Sequence, residues 1–181
     1  MHYLRSMQQI LTLNPLEKKM DLKRLQFYAI INVLMLGLIY GCFAALFSQE
    51  VLVEKGFEVT GFNPFKIIVA GIPVAFFMHC GAALFVWVFF LAIGGKTNFL
   101  NCYFHMGMTA ISLWPVAPLA AALQTGSASS LTLALSVIFS LYALAVNVRV
   151  LQTAFGLSSL KMTIATLVTL TYISCFLYLW V

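Results

Sequence analysis

His79 is the side chain best placed to do chemistry, because it is ionisable and lies inside an uncharged apolar run at 67–93. An ionisable group in such a run is a candidate for proton transfer or ligand binding. Pro73 precedes it and can kink the segment. The alternative is a neutral imidazole that bonds a nearby carbonyl or hydroxyl, for which Thr109 and Ser112 in the next apolar run are candidate partners. A proton relay usually contains an acid, and these runs contain none.

A second motif, Gly95-Lys96-Thr97, has the ending of a phosphate-binding loop. That loop needs a glycine five residues before Gly95, where this chain has Phe90. We therefore expect no nucleotide site. Gly94 and Gly95 instead predict a helix-ending turn, which places Lys96 favourably at a helix C-terminus.

Other catalytic signatures are missing from the sequence. It has no HExxH, no GxSxG and no paired carboxylates. The cysteines are scattered, without CxxC or metal-ligand spacing, at Cys42, Cys80, Cys102 and Cys175. We therefore expect a protein that is not an enzyme and that holds neither a cofactor nor a metal.

The composition indicates an integral membrane protein. Of the 181 residues, 62% are hydrophobic and only 8% are charged, against roughly a quarter charged in soluble domains. A soluble fold could not cover its surface with so few charges. This balance excludes nucleic-acid binders, disordered tails and disulfide-stapled secreted scaffolds, so no nucleic-acid partner is expected despite the net charge of +5.

Five uncharged stretches are long enough to cross a bilayer as helices. They predict an all-α bundle of five transmembrane helices at about 27–47, 67–93, 103–123, 131–148 and 162–181. Eight basic residues fall on the side of the N-terminus and two on the other. The positive-inside rule then places the N-terminus in the cytoplasm and the C-terminus outside, most simply in a bacterial inner membrane.

The chain divides into an interfacial segment, 1–25, and the five-helix transmembrane domain, 26–181. Apolar residues at helical spacing in 3–12 predict a short amphipathic helix on the inner membrane surface. Asn14-Pro15, with Glu17 three residues after the cap, predicts that a second helix begins at Pro15. Asn63-Pro64 repeats the cap-plus-proline pattern and predicts the start of the second span.

Small and hydroxyl side chains mark helix faces that can pack closely. Gly37 and Gly41 form a GxxxG motif on the first span, and Thr163 and Thr166 lie on one face of the fifth. We expect both faces to make contacts within the bundle. Contacts with a second copy or with a partner are the alternative.

The order of these signals resembles the Yip-domain family, the five-span proteins named for Ypt/Rab-interacting membrane proteins. The resemblance covers about residues 14–181 and suggests a prokaryotic member. It is carried by Gly94-Gly95-Lys96-Thr97-Asn98-Phe99, Trp114-Pro115, Tyr142-Ala143-Leu144, Asn147-Val148-Arg149 and the turn around Gly156 that ends at Lys161. It implies a membrane bundle without catalytic chemistry, whose eukaryotic relatives act in trafficking and membrane shaping through partners.

Three functions remain open from the sequence. The first is an accessory or scaffold subunit that binds another membrane protein, or a second copy of itself, within membrane lipids. The second is a small transporter or channel for ions, lipids or hydrophobic molecules, because prolines interrupt two spans near mid-depth. The third is a membrane-shaping protein that acts through its amphipathic N-terminus.

Overall fold

The computed structural model describes residues 2–13, 21–57, 61–167 and 171, and every regular element within them is a helix. A 3₁₀ turn at Ala110–Leu113 separates two of these helices, and residues 159–167 are helical as well. The six labelled helices are α1 (His2–Leu11), α2 (Leu22–Glu54), α3 (Pro64–Ala92), α4 (Phe99–Thr109), α5 (Val116–Thr125) and α6 (Ser130–Phe155).

Three helices, α2, α3 and α6, are long and apolar enough to cross a membrane. A fourth crossing is possible if α4, the 3₁₀ turn and α5 are counted as one bent span. The all-helical class is therefore confirmed for the described residues, with three or four candidate spans. The predicted fifth span, 162–181, lies mostly outside the described residues.

The predicted third span, 103–123, corresponds to α4, the 3₁₀ turn and α5, a bent pair that forms either a broken span or a re-entrant loop. The two halves differ in direction by 75° around Trp114 and Pro115. Proline has no N–H and cannot donate to the carbonyl four residues earlier. That carbonyl, on Ile111, accepts from the N–H of Trp114 at 3.2 Å instead. The tighter pairing ends α4 in a 3₁₀ turn and redirects the chain.

The helix ends follow from local sequence. The side chain of Asn63 accepts from the N–H of Lys66, and Pro64 occupies the first turn of α3, which confirms the predicted start. At the other end Gly94 has a φ of 84°. The N–H groups of Gly94 and Gly95 donate back to the carbonyls of Leu91 and Phe90, a Schellman ending.

The closest helix packing joins α2 to α3. A Cβ placed on Gly37 would lie 2.8 Å from the carbonyl oxygen of Gly71, and one on Gly41 would lie 2.6 Å from that of Ile68. Real side chains do not approach backbone so closely, so glycine is required at both positions. The GxxxG motif of α2 therefore packs against α3, within the chain.

The N-terminal helix α1 is docked in the bundle. Met7 and Ile10 are only 3% and 0% exposed and pack in one core cluster with residues of α2, α4 and α6. The sequence predicted this amphipathic helix; in the structure its side chains Met7 and Ile10 pack against protein, whereas Leu4 of the same helix is 73% exposed. The helix predicted to begin at Pro15 lies outside the described residues.

Candidate functional site

A buried amide, Asn32, organises the polar centre of the bundle. It lies in α2 and is 0% exposed. Its side-chain nitrogen donates to the carbonyl oxygen of Met108 at 3.1 Å, and its side-chain oxygen accepts from the hydroxyl of Tyr3 at 2.6 Å. A buried amide without partners would cost several kcal/mol in an apolar environment, so these bonds fix how α2, α4 and α1 meet.

A second tyrosine forms a hydrogen bond at the C-terminal end of α1. The hydroxyl of Tyr142, in α6, donates to the backbone carbonyl of Leu11 at 2.5 Å. That carbonyl is in the last turn of α1, where no further helical N–H is available to it. The two tyrosine hydroxyls thus tie the first and last turns of α1 to different helices. Burial, and secondarily the neighbouring Tyr28, raise the pKa of the Tyr3 hydroxyl.

Asn32 also contacts the bend of the third span. The indole N–H of Trp114 donates to the backbone carbonyl oxygen of Asn32 at 3.1 Å. Trp114 immediately precedes Pro115, at which the span turns. The same residue of α2 therefore holds the last turn of α4 through Met108, the bend through Trp114, and α1 through Tyr3.

His79 lies inside the structure, between α3 and α4. It is 8% exposed, and its Nε2 is 3.0 Å from the carbonyl oxygen of Tyr103. Its ring packs edge-on against that of Tyr103, with centroids 4.6 Å apart. A carbonyl accepts, so Nε2 carries the proton in this contact. The imidazole therefore links α3 and α4 through this hydrogen bond.

Thr109 and Ser112 were predicted as hydrogen-bond partners of His79, and this prediction is wrong. The hydroxyl of Thr109 donates to the carbonyl of Met106 at 2.7 Å, and that of Ser112 donates to the carbonyl of Thr109 at 2.6 Å. Both hydroxyls thus satisfy carbonyls of their own tightening helix, next to the bend. Back-bonding of this kind is common where helices bend.

An open apolar groove of about 420 Å³ runs between α3 and α4. Its α3 wall contains Pro73, Phe76, Phe77 and Cys80, and its α4 wall is formed by four residues from Phe99 to Phe104. Phe77 is 78% exposed. Gly81 follows one turn later, and a Cβ built there would meet nothing within 4 Å.

The turn after α3 carries positive charge. Lys96 is exposed, and the ammonium group of Lys161 lies 3.7 Å from the position that a Cβ on Gly94 would take. Cations near the last carbonyls of a helix complement its dipole. Gly156 has a φ of 60° and ends α6 with the same left-handed geometry. The predicted turn residues Gly94, Lys96 and Gly156 are therefore explained by the way in which α3 and α6 end.

The two threonines predicted to pack across helices bond within their own helical segment. The hydroxyl of Thr163 donates to the carbonyl of Ser159 at 2.9 Å, and that of Thr166 to the carbonyl of Met162 at 2.8 Å. Thr163 is exposed and Thr166 is half-buried. The buried neighbours in this segment are Met162 and Ala165.

The sequence reasoning missed Asn32. A signal was available, because Asn32 is an amide inside the uncharged stretch 27–47. The argument that drew attention to His79, that a polar group inside a span must find a partner, applies equally to Asn32. Within the described residues, no group of three or more histidines, cysteines or acids is arranged to hold a metal ion.

Comparison of the chain with protein-family models, with curated proteins and with solved structures finds no match. The resemblance to the Yip-domain family therefore stays a prediction drawn from the motifs themselves.

Proposed function

We propose that this chain is a non-catalytic membrane protein that binds a transmembrane helix of another membrane protein along α3. The observation that carries the proposal is the open groove between α3 and α4, together with the exposed residues Phe77 and Gly81 on the same helix. The groove is the surface that we propose for the accessory or scaffold function expected from the sequence.

Gly81 favours a helix as the occupant. Glycine in a helix interior costs up to about 1 kcal/mol relative to alanine, and it is retained where backbones approach closely. Gly37 and Gly41 have such a close contact within the chain, whereas no atom of the described chain lies near the Cβ position of Gly81. A small residue on an open, apolar helix face is typical of helix–helix interfaces in membranes. The large side chain of Phe77, one turn away, supplies packing area beside it.

The polar groups of the bundle support a structural over a catalytic role. His79 bonds a backbone carbonyl, as do the hydroxyls of Thr109 and Ser112. Asn32 bonds Tyr3 and a carbonyl. Such pairing positions helices and stabilises their bends.

A photo-crosslinking experiment in native membranes tests the proposal. A photoreactive residue at Phe77 should form one discrete protein adduct, identifiable by mass spectrometry, and the same residue at Leu141 on exposed α6 should not. In the next step, Gly81→Leu should lower recovery of that partner at least tenfold. Ala134→Leu, which introduces the same side chain at an exposed position of α6, should leave recovery unchanged. Adducts with lipid alone at Phe77, or equal effects of the two leucines, would contradict the proposal.

The bent third span favours a transporter as the second candidate function. Broken helices form binding sites in many transporters, and here the two halves meet at 75°. A cavity lined by His79, Thr109 and Ser112 would favour this function, but these residues do not line the groove. Uptake or ion flux by the purified chain in liposomes, abolished by a change at Pro115, would replace the first proposal with this one.

The number of spans, the family, the membrane and the orientation are part of the same proposal. We propose a fifth span at 162–181, membership of the Yip-domain family, and a bacterial inner membrane with the N-terminus in the cytoplasm. The distribution of basic residues supports this orientation. Single cysteines at Ser127 and Ser158, in a background without other cysteines, should label from opposite sides. Labelling from one side would contradict this topology.

A further inference from the structure

We propose that α1 is a displaceable plug, and that Asn32 couples its docking to the bend of the third span. This inference does not use the α3 groove and stands independently of the proposed function. It begins from the fact that one side chain bonds both α1 and α4.

The attachment of α1 is small for an element that closes a core. The helix has ten residues, which is too short to be stable alone in water. Besides one hydrogen bond at each end, to Asn32 and from Tyr142, it buries the side chains of Met7 and Ile10. Leu4, Arg5 and Gln8 are exposed. Elements with few buried contacts open at low free energy while the rest of the fold persists.

The coupling depends on the hydrogen bonds that Asn32 makes to residues outside α1. When α1 leaves, the side-chain oxygen of Asn32 loses the Tyr3 hydroxyl. Its side-chain nitrogen also loses the sulfur of Met7, 3.5 Å away in α1, and keeps only the carbonyl of Met108, next to the 3₁₀ turn. The amide must then reorient so that its oxygen reaches another donor. The backbone of Asn32 meanwhile holds Trp114 at the bend. Docked α1 thus favours the bent span, and free α1 relaxes it.

Thermodynamic linkage makes this coupling reciprocal. A change that loosens α1 must loosen the bend, and a change that loosens the bend must loosen α1. An α1 that served as a simple anchor would show neither effect at the other place. The two readouts therefore separate a coupled plug from a passive anchor.

Hydrogen–deuterium exchange of the full chain in lipid nanodiscs tests the proposal. Tyr3→Phe removes one hydroxyl and one hydrogen bond, and we expect exchange of the α1 amides to become roughly 3–10-fold faster. The amides of 110–114 should speed up in the same variant. Tyr28→Phe is the matched control, because Tyr28 packs against Tyr3 and its hydroxyl makes no hydrogen bond with the described residues. This control should change neither segment.

The reciprocal variant is Trp114→Phe, which removes the indole donor at the bend. It should speed exchange in α1, which contains no substituted residue. If the Trp114→Phe variant fails to fold, the Tyr3→Phe variant still tests the coupling. Faster exchange in α1 with an unchanged bend would overturn the coupling. Exchange of wild-type α1 as slow as that of central α2 would overturn the displaceable plug.

Discussion

Replacing Gly41 by alanine would place a methyl group 2.6 Å from the carbonyl oxygen and 2.8 Å from the Cα of Ile68. Both atoms belong to the backbone of α3, so no side-chain rotation can make room. To restore ordinary contact distances, α2 and α3 would have to separate by roughly 1 Å. A separation at this position also loosens the neighbouring contacts of Gly37 with Gly71 and Ile72.

The expected size of this effect comes from two opposing contributions. Overpacking a tight interface costs roughly 1–3 kcal/mol. Alanine is the better helix former by up to about 1 kcal/mol. We therefore expect Gly41→Ala to lower the free energy of unfolding by about 1–2 kcal/mol, since the steric contribution is the larger of the two.

The measurement is unfolding in mixed micelles of dodecyl sulfate, followed by far-ultraviolet circular dichroism. Gly81→Ala is the matched control, because it makes the same substitution on α3 where a Cβ meets nothing within 4 Å. It should leave the free energy of unfolding unchanged or raise it slightly. If Gly41→Ala is as stable as wild type, or if both variants lose equally, the close approach of α2 and α3 is wrong.

Three further predictions follow from single contacts. His79→Leu removes one hydrogen bond to a backbone carbonyl and should cost about 0.5–1.5 kcal/mol in unfolding; loss of the fold would contradict a purely packing role. Pro115→Ala should straighten the third span, so that spin labels at Leu100 and Leu123 move apart by up to about 7 Å at 1.5 Å rise per residue; an unchanged distance would mean that tertiary contacts alone impose the bend. The pKa of the Tyr3 hydroxyl is raised in the docked state. The neutral hydroxyl should therefore stabilise docking fully below the ordinary tyrosine pKa of about 10, and this contribution should be lost as the pH rises through the higher docked value. Exchange of α1 that is equally pH-sensitive in Tyr3→Phe would argue against this.

Local signals in the sequence predicted where α3 begins and ends. Asn63 and Pro64 start α3, and Gly94 and Gly95 end it, because capping depends on a few adjacent residues. The apolar runs fall within α2 and α6 but gave poorer bounds there, because α2 extends five residues before and seven beyond its run and α6 extends seven residues beyond its own. Proline marked the break in the third span, although not its 75° angle.

The polar centre could not be predicted in the same way, because its partners are distant in sequence. Asn32 bonds Tyr3 at a separation of 29 residues, Met108 at 76 and Trp114 at 82. No periodicity specifies such pairs. The amphipathic pattern of α1 was also ambiguous, since the same apolar face fits a membrane surface and a protein core. The contacts of Met7 and Ile10 with the bundle are therefore a finding of the structure.

The central claim, that the open face of α3 binds another membrane protein, is tested most directly by the mass of the chain extracted with its surrounding lipid. Native mass spectrometry of polymer-bounded membrane discs should show the 20.1 kDa chain together with one other polypeptide in a fixed ratio. The Gly81→Leu variant should lose that polypeptide while the Ala134→Leu variant keeps it. Recovery of the wild-type chain alone, as a monomer with lipid, would contradict the claim.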